Sequence, residues 1–480
     1  MNSRIKALLQ KIYAAWGRVV LIILGLAAVG FVTWLLASSS TSIPVADLHP
    51  LPLAGYQRLL ILAPHCDDET LGSAGLILAA QRAGIQVRVV IATNGDGFLF
   101  ATMQDFRKVY PSHADFIRMG EERQQESLAA LAKLGVKADQ VTFLSYPDRG
   151  TPALWNAYWS PGSPYRSPYS GDSRSPYPLT YNPQSVYAGA DYLADLTSIL
   201  ESYRPDLVVY PNPDDVHPDH WGLNVFTRLA LTRMRHNDPS YTPTELTYLV
   251  HRPDFPEPRG YIQTASLTPP DMLYALDPHW YRLDLAPADE ALKGQAVQAY
   301  RSQLPLLHSL LDSFVRTNEI FDSVTTPNLA TAAQGDPLNP STWRDATGQL
   351  IKPVQLDPVG DIFTRTVVPA GDLTAVYAAR NPQDDLLLCM QVGEDALPAI
   401  IYSFRLKALT DSGSGIIALQ STSGRRHTGE LALQRSGVYA CTSLPLAQLG
   451  DPWAVYVGAN TVTGGRVLDE AGWQMITLYR

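Results

Sequence analysis

The stretch 58-RLLILAPHCDDETLGSAGLILAAQRAG-84 decides the fold. An apolar run ends at Pro64, the polar side chains His65, Cys66, Asp67, Asp68 and Glu69 follow, and a helical pattern then continues to Gly84. A second apolar run, "VRVVIATNGDG", comes next. Strand, polar turn, helix and strand in this order predict parallel strands, and in such sheets ligands sit beyond the carboxyl ends of the strands. The polar cluster occupies that position.

Further along, "VTFLSYPD", "PDLVVYPNPDD" and "ELTYLVHRP" read as strands, with helical patterns at "EERQQESLAALAKLG" and "AGADYLADLTSILESY" between them. The expected class is α/β: a Rossmann-like, mostly parallel sheet with helices on both faces, over residues 56–330. Residues 147–185 form an unusually long connection rich in Pro, Ser and Tyr, and its aromatic content predicts an ordered lid or cleft wall. After a linker at 331–352, short strand patterns such as "LTAVYAAR", "AIIYSFRLKAL", "GELALQ", "WAVYVGAN" and "WQMITLYR" predict an all-β sandwich at 353–480.

The 480-residue chain has a formal net charge of -9, which leaves no basic surplus for neutralising phosphates and argues against a nucleic-acid partner. Residues 1–18 carry Arg4, Lys6, Lys11 and Arg18 and no acid. The uncharged run at 19–38 is long enough, at roughly 1.5 Å per residue, to cross a bilayer as a helix. A basic cytoplasmic segment, a single-pass signal anchor and a linker at 39–55 are expected, with the rest of the chain extracytoplasmic; a cleaved signal peptide is the rival reading. Of the three cysteines, Cys389 and Cys441 lie in strand patterns, where they form either a disulfide or two buried thiols.

The only close pair among the ten histidines is His217 and His220, in "YPNPDDVHPDHWGLNVF" after the strand "PDLVVY". Pro218 suits the first turn of a helix. Two strand ends of one sheet therefore bring "HCDDE" and "HPDH" to a common crevice. His65, Asp68 and His220 would give two imidazoles and one carboxylate, the donor set of a catalytic zinc site with one position open. Iron(II) suits the same donors.

These motifs resemble the PIG-L/LmbE-like family of zinc-dependent de-N-acetylases. The resemblance extends over most of residues 57–321 and includes "TNGDG", "ERQQESLAALAKLG", "YPDRG" and "LKGQAVQAYRSQ". It implies that His65, Asp68 and His220 hold the metal, that Asp67 is the general base, and that His217 stabilises the oxyanion or donates a proton. Asp219 would orient a histidine, and Arg123, Asp148 and Asn94 would contact the sugar. Family members often carry a tyrosine two residues before the first histidine of the second motif, where this chain has Asp215. Cys66 takes the family's variable position, and adjacency to His65 in an extended segment turns it away from the metal.

Several residues have a plainer reading beside the functional one. Glu69 and Thr70 suit a helix cap as well as a supporting role. Lys293, Tyr300, Ser302 and Gln303 fall in one helical pattern and suit packing as well as substrate contact. His251, His279 and His308 have no sequence partner and read as ordinary core or surface residues, with "HRP" at a strand end a candidate cleft lining. The resemblance implies removal of acetyl from an N-acetylated amino sugar in a glycan or glycoconjugate, and the uncharged run at 19–38 leads one to expect that activity at a membrane-anchored site. The alternatives are a non-catalytic carbohydrate-binding protein of the envelope and a hydrolase of another N-acyl amide.

Overall fold

The computed structural model describes residues 44–276, 279–324, 326–357, 368–410, 417–422 and 431–478. The expected cytoplasmic segment and membrane anchor lie outside them, and among the described residues no helix is long and apolar enough to cross a membrane. Eight strands form the first sheet: β1 (His49–Pro50), β2 (Arg58–Ala63), β3 (Gln86–Thr93), β4 (Val141–Tyr146), β5 (Leu207–Pro211), β6 (Thr244–Tyr248), β7 (Trp280–Asp284) and β8 (Asn318–Ser323). Their spatial order is β1-β7-β8-β6-β5-β2-β3-β4. The run β6-β5-β2-β3-β4 is parallel throughout, and β8 pairs antiparallel with both β6 and β7. The sheet is therefore mixed at one side and parallel at its centre. Strand order reverses beside β2, because the chain moves outward through β3 and β4 and returns to place β5 on the other side of β2.

The β2 sequence is almost continuously apolar because both faces are covered. Leu59, Ile61 and Ala63 join a core beneath α1 (Asp68–Arg82), while Leu60 and Leu62 join the core on the opposite face. Helix α1 packs close to the sheet at Gly72, where a Cβ would overlap the ring of Tyr248 on β6. Helices α2 (Leu99–Asp105), α3 (His113–Lys133), α4 (Thr151–Asn156), α5 (Gly189–Tyr203) and α6 (Pro218–Asn237) follow. The 147–185 connection contains α4 and is tied down at both faces: Tyr177 donates to Asp96 at 2.7 Å, and Trp155 is fully buried. It forms an ordered wall.

The helix carrying Lys293 is shorter than its sequence pattern suggests. It covers Pro287–Val297 (α8, after α7 at Asp271–Leu276), so Tyr300, Ser302 and Gln303 lie in the turn before α9 (Leu304–Asp312). Pro305 is the second residue of the new helix, in the first turn where its missing N–H is harmless. All four residues are buried, and Lys293 Nζ forms an ion pair with Glu319 at 2.8 Å while donating to the Leu71 carbonyl of α1.

Two five-stranded sheets make up the C-terminal part. Strands β9 (Gln355–Leu356), β10 (Leu373–Arg380), β11 (Asp385–Val392), β12 (Ile401–Leu409), β13 (Ile417–Thr422), β14 (Leu431–Ala432), β15 (Gln434–Ser436), β16 (Tyr439–Pro445), β17 (Ala454–Thr463) and β18 (Arg466–Thr477) follow in sequence. One sheet is ordered β15-β16-β11-β10-β9 and the other β14-β13-β12-β17-β18. Cys389 and Cys441 are register partners on β11 and β16 and are joined as a disulfide. The preceding linker packs against that bridge through Trp343, Ala332 and Ile351.

The sandwich shares a core with the α/β half. Helix α6 is buried along most of its length, with the parallel sheet on one side and Tyr456, Trp473 and Met475 of the sandwich in the same apolar cluster. A helix apolar around its circumference needs cover on every side. Trp155 sits at the junction, with ring centroids 5.2 Å from Phe226 and Tyr456 and 5.8 Å from Trp473.

Lys407 on β12 is buried in this aromatic setting, its Nζ 4.2 Å from the Trp155 ring and 4.9 Å from that of Trp159, and it donates to the Trp155 carbonyl. Burial lowers its pKa to about 7, while the indole faces favour the ammonium. The unfolded chain therefore binds more protons than the folded chain between about pH 7 and the ordinary lysine value. Stability from this site rises with pH across that window, and the cost of burying the charge is fully present below it. Lys407→Met is expected to gain stability relative to wild type at about pH 6, and that relative gain should shrink by about 1–3 kcal/mol by about pH 9.5. Unfolding midpoints of both proteins across this range test it; a pH-independent difference would contradict the buried-charge account.

Candidate metal centre

Five strand ends meet at the point where strand order reverses. The end of β2 supplies His65 to Glu69. Its turn is fixed to β3 by Thr93, whose N–H and hydroxyl both donate to the Pro64 carbonyl, at 2.9 and 3.0 Å. Glu69 accepts from the Asp67 N–H at 3.1 Å and from the Tyr300 hydroxyl at 2.8 Å. It thus shares the amide at the start of α1 with the His65 carbonyl, which accepts from the same N–H at 3.0 Å, and is itself held from the far side of the core. The end of β5 supplies Asp215 to His220, with His217 as the N-cap of α6 and Pro218 its first residue.

Asp68 and His220 are fully buried. Asp68 Oδ2 accepts from the His65 N–H at 3.0 Å and lies 3.1 Å from both His65 Nδ1 and His220 Nε2. His65 Nε2 faces the other way, 3.3 Å from Asp219 Oδ2 and 3.4 Å from Asp148 Oδ1. Asp219 is fixed by the Arg149 N–H at 2.6 Å and by both the N–H and hydroxyl of Thr151. His220 Nδ1 is 3.0 Å from Asp215 Oδ2.

The donor set fits a divalent cation. Asp68 Oδ1 has no hydrogen-bond partner although it is buried, and both His220 nitrogens approach carboxylates without the alignment of a hydrogen bond. Such groups are costly to bury unless something else satisfies them. The field has the right sign as well. Burial opposes charge on His220, yet Asp215 and Asp68 push its pKa up to about 9, and a field that attracts a proton also attracts a metal ion. Ligand atoms of His65, Asp68, His220 and His251 all lie within 4.8 Å of one another. Sequence reading brought the first three together and gave His251, which enters from the end of β6, only as a candidate cleft lining rather than a ligand.

Asp67 stands beside this group. Burial raises its pKa to about 7 against the opposing charge of Arg123, whose Nη2 is 3.3 Å from Asp67 Oδ2. Arg123 is 4% exposed, and its guanidinium also donates to the Gly95 carbonyl at 2.8 Å and the Cys66 carbonyl at 3.1 Å. It clamps the turns after β2 and β3 together. Gly95, at φ 63°, leaves the space for it, since a Cβ there would fall inside the guanidinium. Asn94 is buried in a network with Gln124 and Ser145. Asp148 is buried too and accepts from the Gly97 N–H at 2.7 Å; burial opposes its ionisation, but His65 and Arg123 hold it below the usual carboxylate range.

His217 is half-buried, its ring centroid 4.6 Å from that of His65. Its Nδ1 accepts from the Asp219 N–H at 3.3 Å, so the neutral ring carries its proton on Nε2. Burial, reinforced by the neighbouring imidazoles, keeps the ring neutral. Cys66 is fully buried in the core under α1, with its thiol directed at the Thr93 carbonyl, and burial pushes its pKa well up. Cys66→Ala is therefore expected to keep a full complement of metal, at a stability cost of about 1 kcal/mol; loss of stoichiometric metal in that variant would contradict it.

Residues 60–231 match the family model described as PIG-L: GlcNAc-PI de-N-acetylase. This segment is a PIG-L domain. Curated relatives of the PIG-L segment include a 1D-myo-inositol 2-acetamido-2-deoxy-alpha-D-glucopyranoside deacetylase of Mycobacterium sp. (strain KMS). It is 33% identical over 196 residues, 40% of this chain and 56% of its own. A relative of the same description from Mycolicibacterium gilvum (strain PYR-GCK) is 26% identical over 303 residues, 61% of this chain and 94% of its own. The chain thus spans about half the length of the curated relatives it matches at 33% identity. A solved structure, N,N'-diacetylchitobiose deacetylase from Pyrococcus horikoshii, is 18% identical over 57% of this chain and 85% of its own, at a TM-score of 0.35. A likeness that distant carries no argument about activity.

Proposed function

We propose that the protein is a metal-dependent N-deacetylase that hydrolyses the acetamide of an N-acetylated amino sugar in a glycan or glycoconjugate. The observation that carries this reading is the buried Asp68 carboxylate, whose Oδ2 lies 3.1 Å from nitrogens of both His65 and His220 and whose Oδ1 has no hydrogen-bond partner, with Asp67 alongside, inside a PIG-L domain. The activity for which the curated relatives are named, deacetylation of an N-acetylglucosaminyl inositol, supports the substrate class.

His65, Asp68 and His220 would hold the metal, zinc or iron(II) by donor type. A bound divalent ion supplies a Lewis acid for the carbonyl oxygen and lowers the pKa of a water molecule to about 7. Asp67, poised near neutrality and anchored by Arg123, takes the proton from the attacking water. The Nε2–H of His217 donates to the oxygen that gains charge as the carbonyl carbon becomes tetrahedral. The C–N bond then breaks, and the proton that Asp67 took from the water passes to the departing amine, giving acetate and the free amino sugar. Asp219 fixes the ring of His65, and Asp215 that of His220. Arg123 and Asn94, both buried, act by positioning these turns, whereas Asp148 stands next to Tyr169 of the cleft wall at Gly97, where a sugar would enter.

Residues 19–38 are proposed to tether the protein to the membrane with this site on the extracytoplasmic side. The basic run before them and the Cys389–Cys441 disulfide favour that placement, since such bonds persist in oxidising compartments. Acetate release from a panel of N-acetyl amino sugars that includes 1D-myo-inositol 2-acetamido-2-deoxy-α-D-glucopyranoside tests the activity. A folded, metal-loaded protein that releases none would favour a carbohydrate-binding role instead.

A further inference from the structure

We infer that His251 is a fourth protein ligand of this metal centre, delivered there by Asp215. The inference rests on the reading of His65, Asp68 and His220 as ligands. His251 lies three residues past the end of β6, the parallel neighbour of β5. Asp215 joins the two strand ends. Its Oδ2 accepts from the Val250 and His251 N–H groups at 3.0 and 2.9 Å while lying 3.0 Å from His220 Nδ1. Its Oδ1 accepts from the His217 N–H at 3.0 Å. The Val216 N–H donates to the His251 carbonyl at 2.9 Å, and Arg252 donates to the Asp214 carbonyl at 2.8 Å, so the two loops run side by side in a fixed register.

The consequence is that the His251 ring packs against the other histidines, with centroids 4.7 Å from His220 and 5.1 Å from His217. Its Nε2 is 4.0 Å from Asp68 Oδ1, the buried carboxylate oxygen that has no hydrogen-bond partner. A cation taken up between these atoms would satisfy that oxygen and the His251 nitrogen together. The His251 side chain is 29% exposed, whereas those of Asp68 and His220 are fully buried, so His251 stands on the solvent side of the centre. Asp215 stands where the family resemblance leads one to expect a tyrosine. A carboxylate can accept from two backbone amides at once, as it does here, and a phenol in that place could not make the same link.

Cobalt(II) uptake by the full-length protein tests this without reference to turnover. The wild type is expected to bind one ion per chain and Asp68→Ala to lose it, which establishes the three-residue site. Against that background, His251→Gln should hold cobalt(II) at least about tenfold more weakly in chelator competition and show an altered visible spectrum. His251→Cys should add a thiolate-to-cobalt charge-transfer band, absent from the wild type because Cys66 points away. Unchanged affinity and spectrum in His251→Gln together with no new band in His251→Cys would overturn the inference while leaving the three-ligand site intact. A wild type that binds no cobalt(II) would overturn both.

Discussion

Asp67→Asn is expected to keep one metal ion per chain and to lower turnover by about 10²–10⁴-fold, the usual worth of a positioned general base. Asparagine has nearly the same shape and leaves an oxygen for Arg123, so the turn that carries residues 65–69 should stay in place. What disappears is the ability to accept a proton. Acetate release together with metal analysis on the same sample separates the two effects. Normal turnover in the variant would contradict the role given to Asp67, and loss of metal would mean that Asp67 belongs to the ligand set.

The adjacent carboxylate should behave differently. Asp68→Ala is expected to lose metal and activity together, with metal affinity reduced by more than about 100-fold, beyond the loss seen for residues that only support a ligand. Asp68 Oδ2 also accepts from the His65 N–H, so its removal leaves a buried amide unsatisfied and loosens His65 as well. A cost of about 1–3 kcal/mol in stability should accompany the loss of metal. Stoichiometric metal in a folded Asp68→Ala protein would overturn the ligand assignment.

The parallel core of the fold was legible because local and global signals agree there. "LLILA" is apolar on both faces, the helix after it begins with acidic residues, and a polar cluster at such a junction falls at a strand end whatever the rest of the chain does. His65, Asp68 and His220 followed from two motifs at two strand ends. His251 did not, because nothing in its spacing links it to His220. Their proximity comes from the β5–β6 pairing, in which Pro211 is opposite Tyr248, and from an aspartate that bonds two amides across the loops. The signal to seek in other sequences is an acidic residue two positions before the first histidine of the second motif, together with a histidine just beyond the next strand.

Burial accounts for other differences between expectation and structure. Arg123 lies on an amphipathic helix at a spacing that suits a cleft or a core equally, and it points inward to join two turns. Tyr300, Ser302 and Gln303 follow a helical period, but the helix stops at Val297 and Tyr300 reaches Glu69 from a turn. The sandwich was legible as a set of strands, whereas its attachment was not. That attachment depends on α6, whose sequence "WGLNVFTRLAL" is too apolar for a helix with one face in water, and on the tryptophans that surround Lys407.

The central claim is that one metal ion, held by His65, Asp68 and His220, is required for removal of acetyl from an amino sugar. Acetate release measured while metal is returned to the stripped protein tests it most directly. Release should be negligible without metal and rise in proportion to occupancy until one ion per chain is bound. Full activity in the stripped protein, or a loaded and folded protein that frees no acetate from any N-acetyl amino sugar, would contradict it.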